Sequence, residues 1–141
     1  MIDFIDIHTH RLEKDENTFS ILNISLPCNE IPEKIYISTG WHPWFIDLFD
    51  LHQIKNSLEK VAWRRNVLAL GECGFDRSIK IPVEKQSDVF RVHLTVAKMV
   101  GKPLIIHCVR AYSDLLETLK KEKFNGKICV AQFQWKSISN R

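Results

Sequence analysis

Three short strings, far apart in the chain, each place a metal-competent side chain where an apolar run gives out. They are Asp6-Ile7-His8-Thr9-His10, Gly71-Glu72-Cys73-Gly74-Phe75-Asp76 and Pro103-Leu104-Ile105-Ile106-His107. Side chains two apart on an extended chain share a face, so Asp6, His8 and His10 are expected to point together. Neutral imidazole is the commonest protein ligand for zinc-like ions, and two on one face can chelate one ion. Glu72 follows the run 67–70 behind a glycine. A carboxylate there can bridge two ions while glycines on either side let backbones come close. Residues 103–106 are apolar and mostly β-branched before His107, which reads as a strand buried on both faces in a parallel sheet. Each string alone has an ordinary structural reading: a strand-to-loop turn, a solvated acid, a core histidine. Their recurrence at strand ends is what points to a metal, because barrel enzymes gather their chemistry at the C-terminal ends of parallel strands.

The elements that must position these groups are legible. Strand-like runs occupy 2–7, 19–26, 35–39, 67–70, 104–106 and 127–133. Helical periodicity fills the longer gaps. Residues 48–65 carry Leu51, Ile54, Leu58, Val61 and Ala62 on one stripe, with Asp47 or Asp50 as the cap. Residues 83–100 carry Phe90, Leu94 and Ala97, with Pro82 at the start. Residues 111–122 carry Leu115, Leu116 and Leu119, with Ser113 and Asp114 near the start. Strand–helix alternation of this kind predicts an α/β fold with a parallel sheet.

Composition bounds the rest. Of 141 residues 45% are hydrophobic and 26% charged, which is globular. No apolar run approaches the ~20 residues of a membrane span, and the start lacks the basic region of a signal peptide, so a cytoplasmic protein without membrane contact is expected. Cys28, Cys73, Cys108 and Cys129 lack CxxC spacing and lie in or beside apolar runs, as reduced thiols do. A net charge of +3 is too small to indicate nucleic-acid binding by itself. His52 reads as an exposed helix residue and His93 as a packing residue. Trp41 and Trp44 flank His42-Pro43 and could stack on unpaired bases or cap a barrel mouth.

The chain resembles the TatD family of metal-dependent hydrolases, TIM-barrel deoxyribonucleases of the wider amidohydrolase-like class. The matching strings are DIHTH at 6–10, GWHP at 40–43, GECGFD at 71–76, the helix 86–100 and PLIIHCVRA at 103–111. The resemblance implies a TIM-type (β/α)8 barrel and hydrolysis of phosphodiester bonds with two divalent ions (Zn, Mn or Mg) and DNA as substrate. It implies that His8 and His10 bind one ion, that Glu72 bridges two and that His107 binds the other. His42 would sit beside the substrate phosphate and Arg110 would contact the nucleic acid. The family also uses a further single histidine and a late aspartate, ligand and base for the attacking water; neither has a counterpart here. Because Asp-x-His-x-His recurs in other amidohydrolase-like and PHP-type metallohydrolases, those remain the alternative, together with a catalytically dead fragment.

A full barrel takes about 250 residues, about 200 at the low end. The 141 present give about six strands, so the barrel is expected to be incomplete, the C-terminal strands missing, and the chain inactive as it stands. The family pattern His-x-Phe-x-Gly would follow Val130, where the chain reads Ala131-Gln132-Phe133-Gln134-Trp135-Lys136. Trp-Lys is encoded TGG-AAR, and a one-nucleotide shift forces GGA, glycine. The same shift permits His-Asn-Phe-Asn before it. This points to a partial hydrolase barrel over 1–130 and an off-frame tail over 131–141. Six strands would leave two open sheet edges and an apolar interior face, favouring self-association.

Overall fold

The computed structural model describes residues 1–12 and 15–131. Six strands form one sheet in chain order: β1 (Phe4–Thr9), β2 (Thr18–Ser25), β3 (Ile37–Gly40), β4 (Val67–Asp76), β5 (Leu104–Val109) and β6 (Ile128–Ala131). Every neighbouring pair is parallel. Helix α1 (Leu51–Ala62) connects β3 to β4, α2 (Val83–Val100) connects β4 to β5 and α3 (Tyr112–Lys121) connects β5 to β6. Parallel pairing needs such crossovers, and sequential parallel order with helices outside is the arrangement of a TIM-type barrel, here incomplete at six strands. The tail expected to be off-frame lies, beyond Ala131, outside the described residues.

The helices form where the periodicity placed them. On α1, Ile54, Leu58, Val61 and Ala62 are buried, and of the two candidate caps the fold uses Asp50. Its carboxylate accepts the Gln53 N–H at 2.8 Å while Gln53 Oε1 accepts the Asp50 N–H at 3.1 Å, a reciprocal cap of about 1 kcal/mol. On α2, Val89, Phe90, Leu94 and Ala97 face the sheet, and Phe90 meets Phe75 of β4 edge-on at 5.2 Å. Period-two alternation divides β4. Cys73 and Phe75 turn outward into the helix-packed core, whereas Glu72 and Asp76 share the opposite face.

Four expectations shift. Strand β4 runs on through Asp76 rather than ending at Leu70, and β5 runs to Val109 rather than Ile106. The polar residues that suggested strand ends pair as backbone regardless: after a register shift between Leu70 and Cys73, the ladder resumes at Cys73↔Ile106 and continues through Gly74↔His107 to Asp76↔Val109. Likewise β1 begins at Phe4 and carries through His8 to Thr9. Nor is β1 buried. Among the described residues β1 has β2 on one side only and a short connection without a helix leads from one to the other, and Phe4 is 68% exposed, Ile5 70% and Ile7 44%. Pairing alone does not bury a strand; a packed face does.

His93 on α2 is the packing residue the sequence suggested, and it has a further part in the fold. Fully buried, its Nδ1 donates to the Val89 carbonyl at 2.9 Å and its Nε2 accepts the Trp41 N–H at 3.0 Å. Gly40 makes this possible, since a Cβ there would lie 3.0 Å from His93 Nε2 and 2.8 Å from Gly71 N. The imidazole thus ties α2 to the end of β3, one residue before His42. Burial pushes its pKa down to about 4, despite the Val89 bond, so it folds neutral. Its unfolded value is about 6.5. The stability from this neutral burial is therefore complete above pH 6.5 and lost as pH falls toward 4, by about 3 kcal/mol at most. Thermal midpoints measured from pH 7.5 to 4.5 should fall more steeply for the natural protein than for His93→Gln, whose amide oxygen still accepts the Trp41 N–H but does not titrate. Parallel curves would remove His93 as the cause.

Candidate metal centre

Four imidazoles converge on one buried carboxylate. Glu72 is 6% exposed. Its Oε1 lies 2.6 Å from His8 Nε2 and 3.4 Å from His10 Nε2; its Oε2 lies 3.2 Å from His107 Nδ1 and 3.6 Å from His42 Nε2. The two oxygens thus divide the site into two clusters, His8–His10–Glu72 and His42–Glu72–His107, each with its potential ligand atoms within 4.8 Å of one another. They differ in access. The His10 side chain is 69% exposed and that of His8 18%, against 10% for His42 and 9% for His107. Burial opposes ionisation of Glu72, but hydrogen bonds from His107 and His8 and the surrounding imidazoles outweigh it and hold the carboxyl well below its ordinary range.

Each strand delivers its group for a local reason. His8 lies on β1 and His10 follows two residues on, so they share a face and meet ring to ring at 4.8 Å. Asp6 was expected to join them, but its Oδ1 accepts the His8 backbone N–H at 3.1 Å and it stands outside both clusters. Glu72 depends on its glycines. Gly71 has φ +136° and Gly74 φ +141°, and a Cβ at either would strike the carbonyl oxygen of Ile105 or His107 across the ladder. From the other side Asn23, buried on β2, donates to the Gly71 carbonyl at 2.7 Å and to Ser38 Oγ at 3.0 Å. Arg110 is exposed, one residue past β5, at φ 51° and outside the clusters.

Tautomers separate the two buried histidines. His42 Nδ1 accepts the Trp44 N–H at 3.2 Å, so in the neutral ring the proton sits on Nε2, which faces His107 Nδ1 at 3.2 Å. Burial, then the nearby His107, push its pKa down to about 4 against the pull of Glu72 and Asp76, so the neutral ring prevails near neutrality. His42 therefore presents an N–H donor to the site rather than a lone pair. His107 is the reverse. Its Nε2 lies 2.9 Å from Asp76 Oδ2, which leaves Nδ1 toward Glu72. Burial works against the charged ring, but Glu72 and Asp76 outweigh it and raise its pKa.

Two residues important to this geometry had no role in the sequence reading. Asp76, 1% exposed, accepts from His107, from the Trp44 indole Nε1–H at 2.8 Å, and from both the Ser78 N–H and hydroxyl. Burial resists its ionisation, yet the bonds from Ser78, Trp44 and His107 hold its pKa near about 2. Gln86, 1% exposed, brackets the Asp76 backbone: its Oε1 accepts the Asp76 N–H at 2.7 Å and its Nε2 donates to the Asp76 carbonyl at 3.0 Å. Signals existed for both. Asp76 is four residues from Glu72 on one strand, hence on the same face, and Gln86 is a polar residue one turn before Phe90 on the apolar stripe of α2.

The donor set fits divalent metal. It offers imidazole nitrogen and carboxylate oxygen, the ligands of zinc-class ions. Buried polar atoms are normally partnered, yet His8 Nδ1 is buried without a partner among the described residues. No lysine or arginine pairs with Glu72 there; its four partners are all histidines.

The family model described as "TatD related DNase" matches residues 15–136. The chain is 42% identical over 84 residues to the "3'-5' RNA nuclease TATDN2" of Homo sapiens, covering 58% of this chain and 11% of that protein. It is 37% identical over 95 residues to the "Uncharacterized metal-dependent hydrolase YabD" of Bacillus subtilis, covering 62% and 34%. To the "3'-5' ssDNA/RNA exonuclease TatD" of Edwardsiella piscicida it is 28% identical over 95 residues, covering 63% and 34%. Among solved structures, the TatD homolog YJJV from Escherichia coli superposes with a TM-score of 0.74 at 23% identity, covering 94% of this chain and 61% of that one, which shows a shared fold. The chain thus spans about a third or less of these three curated relatives.

Proposed function

Because the chain belongs to the TatD related DNase family of metal-dependent hydrolases, we propose that its site is built to hydrolyse phosphodiester bonds of nucleic acid with two divalent ions of the Zn, Mn or Mg class. The observation that carries this reading is the division of labour at Glu72, with one oxygen facing His8 and His10 and the other facing His107 and His42. His8 and His10 would hold one ion, His107 the second, and Glu72 both. Such ions supply an activated water near neutral pH and offset the charge that builds on the phosphate.

The remaining residues orient substrate. His42, neutral with its proton on Nε2, donates to a phosphate oxygen. Arg110, exposed beyond β5, reaches the backbone of the strand. Trp44 is 52% exposed while its indole N–H is held by Asp76, so its ring is a fixed platform for an unpaired base. Trp41, 2% exposed and bonded to Ser57 Oγ, is part of the core. Relatives named as nucleases of RNA or of single-stranded DNA and RNA favour a nucleic-acid substrate over other amidohydrolase-like chemistry. No helix among the described residues is long and apolar enough to cross a membrane, and Cys28, Cys73, Cys108 and Cys129 are all free, which suits the cytoplasm. The uncovered apolar side of β1 is where copies would associate.

The 141 residues hold four of the family's ligands and lack a counterpart for the further histidine and late aspartate. A positioned acid or base contributes about 10²–10⁴ in rate. These residues by themselves should therefore bind metal but cleave DNA and RNA weakly, and a version continued in the shifted frame after residue 130 should cleave at least about 100-fold faster with Mn²⁺. Labelled single-stranded DNA, duplex DNA and RNA with each divalent ion decide this, with His8→Ala/His10→Ala as control. Equal rates for the two versions would refute the missing-ligand account. Cleavage untouched in the double variant would refute the metal site.

A further inference from the structure

Four hydrogen bonds close a ring behind the metal centre. The Trp44 backbone N–H donates to His42 Nδ1 (3.2 Å), His42 Nε2 faces His107 Nδ1 (3.2 Å), His107 Nε2 meets Asp76 Oδ2 (2.9 Å), and the same Oδ2 accepts the Trp44 indole N–H (2.8 Å). The circuit has one member that can only accept, the Asp76 carboxylate. That fact sets the direction of every bond. His107 must carry a proton on Nε2 to bond Asp76; its charged ring also donates from Nδ1 to Glu72 Oε2, 3.2 Å away, whereas the neutral Nε2–H ring leaves Nδ1 as a lone pair, the form that could ligate an ion there. The His42 Nε2–H then points at a lone pair rather than at another proton. Reverse the neutral His107 tautomer and two contacts fail, since Nδ1–H would oppose the His42 Nε2–H and a bare Nε2 would oppose the Asp76 carboxylate, against the single bond that Nδ1–H would gain with Glu72.

We propose that Asp76 is the positioning residue of this centre: it fixes His107 in the Nε2–H tautomer, so that Nδ1 is the ligand atom, and it holds the Trp44 ring in place through the same oxygen. The inference rests on the reading of His107 as a metal ligand. Asp76 is itself immobilised. Gln86 clamps its backbone on both sides and Ser78 occupies its other oxygen through N–H and hydroxyl. A carboxylate that orients a ligating imidazole through the ring's second nitrogen typically governs affinity by 10–100-fold without touching the ion. Here the effect is confined to one half of the site, because Asp76 contacts neither His8 nor His10.

Long-range ¹H–¹⁵N correlation spectra of the imidazoles, recorded on the metal-free protein above the His107 pKa, read the tautomer directly. The Nε2–H pattern is expected for His107; an Nδ1–H pattern overturns the proposal with no variant needed. Zinc titrations then compare the natural protein with Asp76→Ala and Asp76→Asn. The alanine variant should lose about 10–100-fold in the second of two binding events and leave the first, on His8 and His10, unchanged. Asparagine keeps one neutral acceptor and should recover part of the loss. Trp44 emission should shift in both variants as the indole loses its charged acceptor. Unchanged zinc affinity in Asp76→Ala, or equal loss in both events, contradicts the assignment. None of these readings requires cleavage, so a failure to hydrolyse nucleic acid would count against the proposed function and leave this test standing.

Discussion

Glu72→Gln should abolish binding of both ions while leaving the backbone in place. The amide is nearly isosteric with the carboxylate but carries no charge, and it turns one of the two ligand oxygens into an N–H₂ donor. Both clusters contain Glu72, so a single substitution reaches both. The variant also loses the acceptor for either His8 Nε2 or His107 Nδ1, at 2.6 and 3.2 Å in the natural protein. Calorimetric titration with zinc should show the two-event isotherm proposed for the natural protein collapse to no saturable uptake below the millimolar range. In a version with the full ligand set, hydrolysis should fall by at least about 10²–10⁴, the usual value of one group that stabilises developing charge. Survival of either binding event at its natural affinity would mean that Glu72 does not bridge.

Gly71→Ala should be the most damaging substitution to the fold. Gly71 sits at φ +136°, a region that residues with a Cβ rarely enter, and the added methyl would run into the Ile105 carbonyl oxygen with Ile105 Cβ at 3.0 Å. Those neighbours are β5 backbone in the middle of the sheet and cannot rotate away. Backbone strain of about 1–3 kcal/mol and overpacking of about 1–3 kcal/mol therefore add to a loss of about 2–6 kcal/mol, comparable with the whole stability of a small domain. Denaturant unfolding should show a large drop in midpoint or no folded baseline. Gly101→Ala, at the end of α2 with nothing within 4 Å of its Cβ, should cost far less. Equal losses for the two would show that the β4–β5 approach is not what requires glycine.

The candidate ligands stood out in the sequence because their types are rare at the ends of apolar runs, and the helices stood out because three stripes repeat at helical spacing. His8, His10, Glu72 and His107 all meet where those strings suggested. What stayed hidden depends on three dimensions. His42 and His107 are 65 residues apart, and only the sheet brings His42 Nε2 within 3.2 Å of His107 Nδ1. Asp76 was in plain view in GECGFD but had no role, since nothing local shows that the Trp44 indole and His107 both reach it. The length of β4 was missed because Gly71 and Gly74 read as chain breakers, when in this fold they are what lets the ladder with β5 continue past Glu72. The open face of β1 was hidden for the opposite reason: an apolar run promises burial, and whether another element arrives to provide it is not written in the run itself.

The uneven access of the two clusters has a kinetic consequence. His10 stands mostly in solvent, whereas His42 and His107 are enclosed. An ion held by the outer pair would lie open to water and chelators through His10, and so would exchange readily with whichever metal the surroundings supply. An ion held on the inner side, where His42 and His107 are 10% and 9% exposed, would meet water and chelators far less readily. On the proposed two-ion reading, the protein should exchange one metal quickly and keep the other through purification, so that a brief chelator wash followed by a different ion yields a mixed-metal centre.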